Sequence, residues 1–219
     1  MTGPSPAFCA FSARLGQDPL RVQGPGGNTS IKLDEVMWIK ASGTELADAE
    51  RKPIFVAVDR AAAQAEAGGA GDGSCKDTVI DPANTLRPSI ETTFHAALDW
   101  PVVAHTHSIA TLVHAISPEG RKVAAEKLAD LPGVFVPYAK PGLPLTREIL
   151  ARVTPQTQIV VLENHGLICC GNTVVETDQI MQEVEDRLQM PVLSDTTAGG
   201  AGMEGFETVV ESWMAHDAR

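Results

Sequence analysis

Short apolar runs alternate with amphipathic or alanine-rich segments along this chain, and the alternation predicts a layered α/β domain. Several apolar runs contain β-branched residues, which is typical of strands. We therefore predict strands over residues 37–41, 53–58, 102–107, 133–138, 157–162 and 167–170. The amphipathic and alanine-rich segments predict helices over residues 59–67, 109–116, 146–153 and 176–188. A turn or loop is predicted over residues 24–30 (GPGGNTS).

A further helix is predicted just before the 102–107 strand. Ser89 is a residue type that favours the N-cap position, and Glu91 then falls in the first turn, where the helix dipole stabilises a carboxylate. The helix would continue through Leu98 and end near residues 99–101 (DWP). Because the strand follows directly, the start of the helix, with Glu91, can lie near the end of that strand.

The composition is that of a folded chain, with 43% hydrophobic and 21% charged residues. A length of 219 residues suits one large domain, and no segment has the character of a linker. We therefore predict a single domain over residues 1–219. Residues 191–219 would form its C-terminal tail, which is glycine-rich at first and then weakly helical.

Seventeen Lys and Arg residues against 28 Asp and Glu residues give a formal net charge of −11. This balance argues against nucleic-acid and anionic-membrane partners, since both need clustered basic residues. No apolar run approaches the roughly 20 residues of a membrane-spanning helix, and the N-terminus lacks the features of a secretory signal. The four cysteines include no CxxC pair, which favours reduced thiols. We therefore expect a cytoplasmic protein.

The strongest chemical signal is the pair His105 and His107 at the end of a predicted strand. Residues two apart on a strand share a face, so both imidazoles can bind one divalent metal, although two independent histidines would give the same pattern. His165 follows another apolar strand and precedes a glycine. Together with Glu91, the three histidines predict a catalytic metal set, typically for zinc. His95, four residues after Glu91, lies on the same helix face and is expected to pack or to be solvated. Support of this set and a place as a rival ligand are the alternatives for His95.

Two glycine-containing turns, residues 26–30 (GGNTS) and 41–44 (ASGT), offer backbone N–H groups and hydroxyls. Such groups can bind an anion without many cations. The same residues are also common in ordinary turns.

Taken together, these segments resemble the class II aldolase/adducin family. The matching motifs occur in the family's order across about residues 10–190. They are GGNTS (26–30), IKASGT (39–44), RPSIETTFH (87–95), HTHS (105–108), VPYAKPG (136–142) and NHG (164–166). The first three are most similar to the rhamnulose-1-phosphate-aldolase-like branch.

The resemblance implies a three-layer α/β/α fold with a central mixed, mostly antiparallel sheet. It also implies one divalent metal, above all zinc, with manganese, cobalt or iron as alternatives. Family enzymes act on small sugar phosphates and are commonly homotetramers with sites near subunit interfaces, so we expect a homo-oligomer. The implied metal ligands are His105, His107 and His165, with Glu91 as ligand or neighbour of the metal and as general acid/base. The implied substrate-phosphate residues are Gly27, Asn28, Ser42, Gly43 and Ser89.

The resemblance favours a metal-dependent aldehyde-lyase that cleaves a small ketose phosphate, or a related hydroxy-carbonyl compound, via a metal-stabilised enediolate. Epimerase, decarboxylase or dehydratase chemistry on the same metal site is an alternative, as is a non-catalytic, adducin-like binding module. The chain departs from the family pattern at two positions. Ile90 replaces a second phosphate-contacting serine, and Tyr138, the only tyrosine, matches a strand end rather than the tyrosine that protonates the aldehyde.

Overall fold

A computed structural model describes residues 3–190 of the chain. The described residues form a seven-stranded sheet in the order β3-β2-β1-β4-β7-β6-β5. The strands are β1 (Asn28–Leu33), β2 (Val36–Lys40), β3 (Phe55–Asp59), β4 (Val102–Thr106), β5 (Gly133–Val136), β6 (Ile159–Leu162) and β7 (Gly166–Gly171). Within this sheet β5 and β6 run parallel, and the other neighbouring strands are antiparallel. The prediction of a mixed, mostly antiparallel sheet is confirmed.

Helices cover both faces of the sheet. They are α1 (Pro6–Gln17), α2 (Arg60–Ala67), α3 (Thr92–Ala97), α4 (Ile109–Ala115), α5 (Pro118–Lys127), α6 (Leu143–Leu150) and α7 (Val174–Leu188). Val102 and Val103 are consecutive in β4 and therefore point to opposite faces. Val102 belongs to the apolar cluster that contains Phe8 of α1, whereas Val103 belongs to the cluster with Phe94 of α3 and Leu145 of α6. The fold thus has three layers, α/β/α.

The prediction of Ser89 as a helix N-cap is wrong. Helix α3 begins at Thr92, and Glu91 holds the N-cap position. The Ser89 hydroxyl instead accepts hydrogen bonds from the backbone N–H of Glu91 (3.2 Å) and from the side-chain amide of Asn28 (2.5 Å). A contact with a distant strand therefore determines the role of this hydroxyl, and the local sequence gives no sign of that contact.

Three further elements differ from the prediction, and one of them is helix α1, for which no bounds were predicted. Strand β1 begins at Asn28, so the last three residues of the predicted 24–30 turn are strand. They are polar yet buried, because the strand is covered on both sides and its hydroxyls have partners such as Ser12 (2.8 Å from the Thr29 hydroxyl). Helix α5 was not predicted because it has no apolar stripe; Ala124 is the one residue of this helix that is buried. The other predicted elements are present with shifted ends.

The predicted C-terminal tail lies outside the described residues. No helix within residues 3–190 is long and apolar enough to cross a membrane.

Candidate metal centre

His105, His107 and His165 come together at one end of β4. His105 is in the strand, and His107 follows its last residue, Thr106. His165 lies in the turn between β6 and β7, and β7 pairs with β4. The ring centroids are 5.1 Å apart for His105–His107, 4.8 Å for His105–His165 and 5.3 Å for His107–His165. One nitrogen from each ring lies within 4.8 Å of the other two, a spacing at which the three can hold one metal ion.

Two glycines allow the surrounding turns to approach these histidines. A Cβ at Gly166 would lie 2.1 Å from the Thr106 carbonyl oxygen, and the φ of Gly166 is +149°. Any side chain there would push the His165 turn away from β4. On the other side of the cluster, a Cβ at Gly26 would lie 2.8 Å from Nδ1 of His107. The GGN turn therefore packs directly against the imidazole.

The Glu91 carboxylate faces the histidines from the start of α3. Its Oε1 lies 3.5 Å from His105 Nε2 and 3.3 Å from His165 Nε2. Its Oε2 lies 3.4 Å from the amide nitrogen of Asn28. Among the described residues its side chain makes no helix-capping hydrogen bond, and Glu91 is only 7% exposed. The carboxylate is thus directed into the cluster rather than along the helix.

Burial and charge set the protonation states of this group. Burial lowers the pKa of His105 to about 4, although the Glu91 carboxylate opposes the shift. Burial also lowers the pKa of His107. Burial alone would raise the pKa of Glu91, but His105 and His165 outweigh it and bring this pKa below its ordinary value. Near pH 7, His105 and His107 are therefore neutral and the Glu91 carboxylate is ionised, the forms that bind metals.

The donor set fits a divalent cation. Nδ1 of His105 lies 3.0 Å from the Leu167 carbonyl oxygen, which fixes the ring and leaves Nε2 facing the cluster. This carbonyl contact is the support that metal-binding histidines usually have. Within residues 3–190, the buried Nε2 of His105 has no hydrogen-bond partner. Three imidazoles and a carboxylate suit zinc and other first-row divalent ions.

The residues expected to bind phosphate lie in three segments that hydrogen bonds join to one another, and one of the segments pairs with the histidine strand. Asn28 pairs with His105 across the β1–β4 ladder, and its amide donates to the Ser89 hydroxyl at 2.5 Å. The backbone N–H of Ser42 donates to the Arg87 carbonyl at 2.9 Å, which joins the turn after β2 to the segment that leads to Ser89.

Gly27 and Gly43 both have left-handed backbones, with φ of +66° and +76°. A Cβ at Gly27 would lie 3.1 Å from the His105 carbonyl oxygen, so this turn lies against the histidine strand. A Cβ at Gly43 would meet nothing within 4 Å, so the positive φ is the one feature of this position that favours glycine.

Sequence reasoning missed Lys40, whose buried ammonium lies between the two glycine turns. Nζ donates to the Pro25 carbonyl (3.0 Å) in one turn and to the Thr44 carbonyl (2.7 Å) in the other. Burial lowers the pKa of Lys40 to about 8, and the carboxylates of Glu91 and Glu45 limit the shift. The residue stays largely protonated at pH 7. A lysine at a strand end gives no sequence signal of burial, because most lysines are solvated.

His95, Ile90 and Tyr138 do not belong to the histidine cluster. His95 is fully buried, stacks on Phe94 with ring centroids 4.6 Å apart and hydrogen-bonds to the Ser30 hydroxyl at 2.8 Å. The Ile90 side chain is 57% exposed although its neighbours Ser89 and Glu91 are buried. Tyr138 is 60% exposed and follows β5.

The fold and the site define an α/β protein with three histidines and a carboxylate that converge at the end of a central strand. The model of the Class II Aldolase and Adducin N-terminal domain matches residues 7–192. The chain therefore belongs to this family, and the expected family is confirmed.

Three relatives illustrate the similarity. The chain is 31% identical over 206 residues to YuxG of Bacillus subtilis (strain 168), named as an uncharacterized oxidoreductase; the match covers 85% of this chain and 30% of YuxG. It is 25% identical over 122 residues to the 3-oxo-tetronate 4-phosphate decarboxylase of Escherichia coli (strain K12); this match covers 48% of this chain and 55% of the decarboxylase. The chain thus spans about a third and about half of these curated relatives. A solved N-terminal class II aldolase domain from Thermoplasma acidophilum has a TM-score of 0.74 and 26% identity, with 86% of this chain and 94% of that chain covered.

Proposed function

We propose that the protein is a divalent-metal-dependent lyase that cleaves a carbon–carbon bond in a small ketose phosphate or a related hydroxy-carbonyl compound. The observation that carries this proposal is the approach of the ionised Glu91 carboxylate to the imidazole nitrogens of His165 and His105, at 3.3 and 3.5 Å. His105, His107 and His165 would hold the metal, with Glu91 as a further ligand or neighbour. A bound metal would supply Lewis-acid stabilisation of the negative charge that develops on the substrate oxygens during cleavage.

Glu91 would act as the general acid/base. In the addition direction, its carboxylate takes a proton from the carbon next to the carbonyl of the ketone fragment. In the cleavage direction, it returns the proton to that carbon. Burial and the neighbouring imidazoles hold the carboxylate beside the reaction centre with little freedom to move, which suits repeated proton transfer.

The two glycine turns and Ser89 would bind the substrate phosphate. Gly27, Asn28, Ser42, Gly43 and Ser89 offer backbone N–H groups, an amide and hydroxyls, and such groups bind oxyanions well. Lys40 adds a positive charge between the two turns, because its ammonium donates to a carbonyl in each. In a chain with a net charge of −11, this local cation supports the binding of an anionic substrate.

Decarboxylation of a 3-oxo acid phosphate is a second candidate, favoured by two observations. One is the similarity to the 3-oxo-tetronate 4-phosphate decarboxylase. The other is that Tyr138, the only tyrosine of the chain, lies 60% exposed after β5 and holds no place in the histidine cluster. Aldol cleavage needs a group that takes the hydroxyl proton as the aldehyde carbonyl forms, and that returns a proton to this oxygen in the addition direction. Loss of CO₂ leaves a similar carbanion without that requirement.

Product analysis tests both candidates. Zinc-, manganese- and cobalt-loaded protein is incubated with a panel of ketose 1-phosphates and of 3-oxo acid phosphates, and aldehyde and CO₂ are measured separately. Aldehyde release from a ketose phosphate supports the aldol lyase, and CO₂ release from an oxo acid supports the decarboxylase. If metal-loaded protein releases neither product, the lyase proposal is wrong, and an adducin-like binding module becomes the leading alternative.

A further inference from the structure

One face of β1 carries a row of three polar side chains, Asn28, Ser30 and Lys32. Alternate residues of a strand share a face, and all three are buried. Each bonds to the segment 89–100, which contains α3. The Asn28 amide donates to Ser89 (2.5 Å), the Ser30 hydroxyl bonds to Nδ1 of His95 (2.8 Å), and Lys32 donates to the Trp100 carbonyl (2.7 Å). We call these three bonds the β1–α3 seam.

The seam contributes to the position of Glu91, because α3 has little stability of its own and takes its place from such contacts. Another of these contacts joins the hydroxyls of Thr93 and Thr146, which are 2.7 Å apart. The helix has six residues, far fewer than a helix needs to persist alone. Within the described part of the chain, the Glu91 side chain makes no capping bond, so its direction follows the placement of the helix. His95 is one helical turn beyond Glu91. Of the three seam bonds, the bond between His95 and Ser30 is the one made by a residue within α3.

The buried histidine is costly as a packing residue. The ring of His95 is fully buried against Phe94, and its Nε2 has no hydrogen-bond partner among residues 3–190. Burial of an unpaired polar atom lowers stability, and an apolar side chain would fill the same space without that penalty. The compensating feature is the bond from Nδ1 to Ser30, which fixes α3 at one point along β1.

We propose that Ser30 and His95 are positioning residues for Glu91. Their hydrogen bond holds α3 so that the Glu91 carboxylate stays 3.3–3.5 Å from the His105 and His165 nitrogens. This inference rests on the proposed function of the site. Neither residue touches the reacting atoms, and both act through Glu91.

The test uses the smallest available change, Ser30→Ala, with a matched control. Ser12→Ala removes an equally buried hydroxyl, whose bond to Thr29 on the other face of β1 also measures 2.8 Å. We expect Ser30→Ala to lower kcat about 10- to 100-fold with little change in KM, as disruption of supporting hydrogen bonds in metal sites typically does. Ser12→Ala is expected to retain the parent kcat. His95→Asn, which keeps a polar atom near the Nδ1 position, should be more active than His95→Phe.

A second readout does not depend on turnover. The visible absorption of Co²⁺-loaded protein reports the ligands around the metal. We expect the Ser30→Ala spectrum to move from that of the parent towards that of Glu91→Ala, while Ser12→Ala overlays the parent. If Ser30→Ala matches Ser12→Ala in both kcat and spectrum, the positioning role is overturned. A parent protein that binds no Co²⁺ would overturn the proposed metal-dependent function itself, which is a different result.

Discussion

At the scale of single residues, we expect the Glu91 carboxylate to determine what the site can do. It is 7% exposed and lies within 3.5 Å of two imidazole nitrogens. Its charge is compatible with burial because its two oxygens face His105, His165 and Asn28 rather than apolar atoms. A buried, ionised carboxylate at a metal site can serve as a ligand, as a base or as both.

Replacement of Glu91 separates these roles. Glu91→Gln keeps the shape but removes the charge and the proton-accepting oxygen. We expect the variant to retain bound metal through the three histidines and to lose turnover by about 10²- to 10⁴-fold, the usual contribution of a general acid/base. Metal is measured by elemental analysis and turnover by product release. The control is Glu148→Gln, which changes an exposed glutamate of α6 that pairs with Arg152. Parent-like turnover in Glu91→Gln would remove Glu91 from the acid/base role.

The amide of Asn28 gives a second residue-scale prediction. It lies 2.5 Å from the Ser89 hydroxyl and beside Glu91 Oε2. If this group binds the substrate phosphate, Asn28→Ala should raise KM for a phosphorylated substrate more than it lowers kcat. The corresponding non-phosphorylated substrate is the control, and its KM should change less. Equal changes in KM for both substrates would argue against a phosphate contact.

Single residues also show what the sequence could and could not predict. The spacing of His105 and His107, the place of His165 before a glycine, and Glu91 before the histidine strand were enough to predict the cluster, and the structure brings all four together. Lys40 was missed because its burial depends on two turns that only the folded chain brings together. Ser89 was assigned to a helix cap because its contact with Asn28 spans 61 positions of sequence.

At the scale of elements, the candidate metal centre depends on how closely the β6–β7 turn approaches β4. Gly166 makes this approach possible, since the Thr106 carbonyl oxygen lies 2.1 Å from where its Cβ would be. Strand β4 was predictable from its apolar run. The start of β1 was not, because three polar residues there are buried by hydrogen bonding rather than by hydrophobicity.

Gly166→Ala tests this dependence. We expect the free energy of unfolding to fall by more than about 1 kcal/mol, because the new methyl group meets backbone and the φ of +149° is strained for alanine. We also expect weaker metal binding, since His165 must move with the turn. Chemical denaturation and metal titration measure the two effects. Gly3→Ala is the control, because a Cβ there has no neighbour within 4 Å. A Gly166→Ala protein as stable as Gly3→Ala would contradict the packing described for this turn.

At the scale of the whole molecule, the strand order places β4 between β1 and β7. Asn28 of β1 and His165, in the turn before β7, therefore lie beside the histidines of β4. Helix α4 begins at Ile109, shortly after His107. Ile109 and Val113 of this helix and Ile116, the residue after its end, form an exposed apolar stripe at helical spacing. Exposed apolar patches often mark interfaces. We expect a second copy of the chain to cover this stripe, in line with the predicted homo-oligomer.

Ile116→Lys tests the predicted assembly. Ile116 is 60% exposed, so the change should leave the fold intact but place a charge in the interface. We expect the parent to have a molar mass that is a multiple of 23.2 kDa and the variant to have a smaller one, measured by size-exclusion chromatography with light scattering. Leu150→Lys, at an exposed leucine on α6, is the control. A monomeric parent would show that the homo-oligomer prediction is wrong.

The central claim is that His105, His107 and His165 hold a divalent metal. Elemental analysis of tag-free protein, before and after mild chelation, tests it most directly, with His105→Ala measured in parallel. We predict about one zinc or similar ion per chain in the parent, removed by the chelator and restored on addition of metal, and none in a folded His105→Ala variant. A parent that carries no metal and takes up neither zinc nor manganese, or a His105→Ala variant with a full complement of metal, would contradict the account.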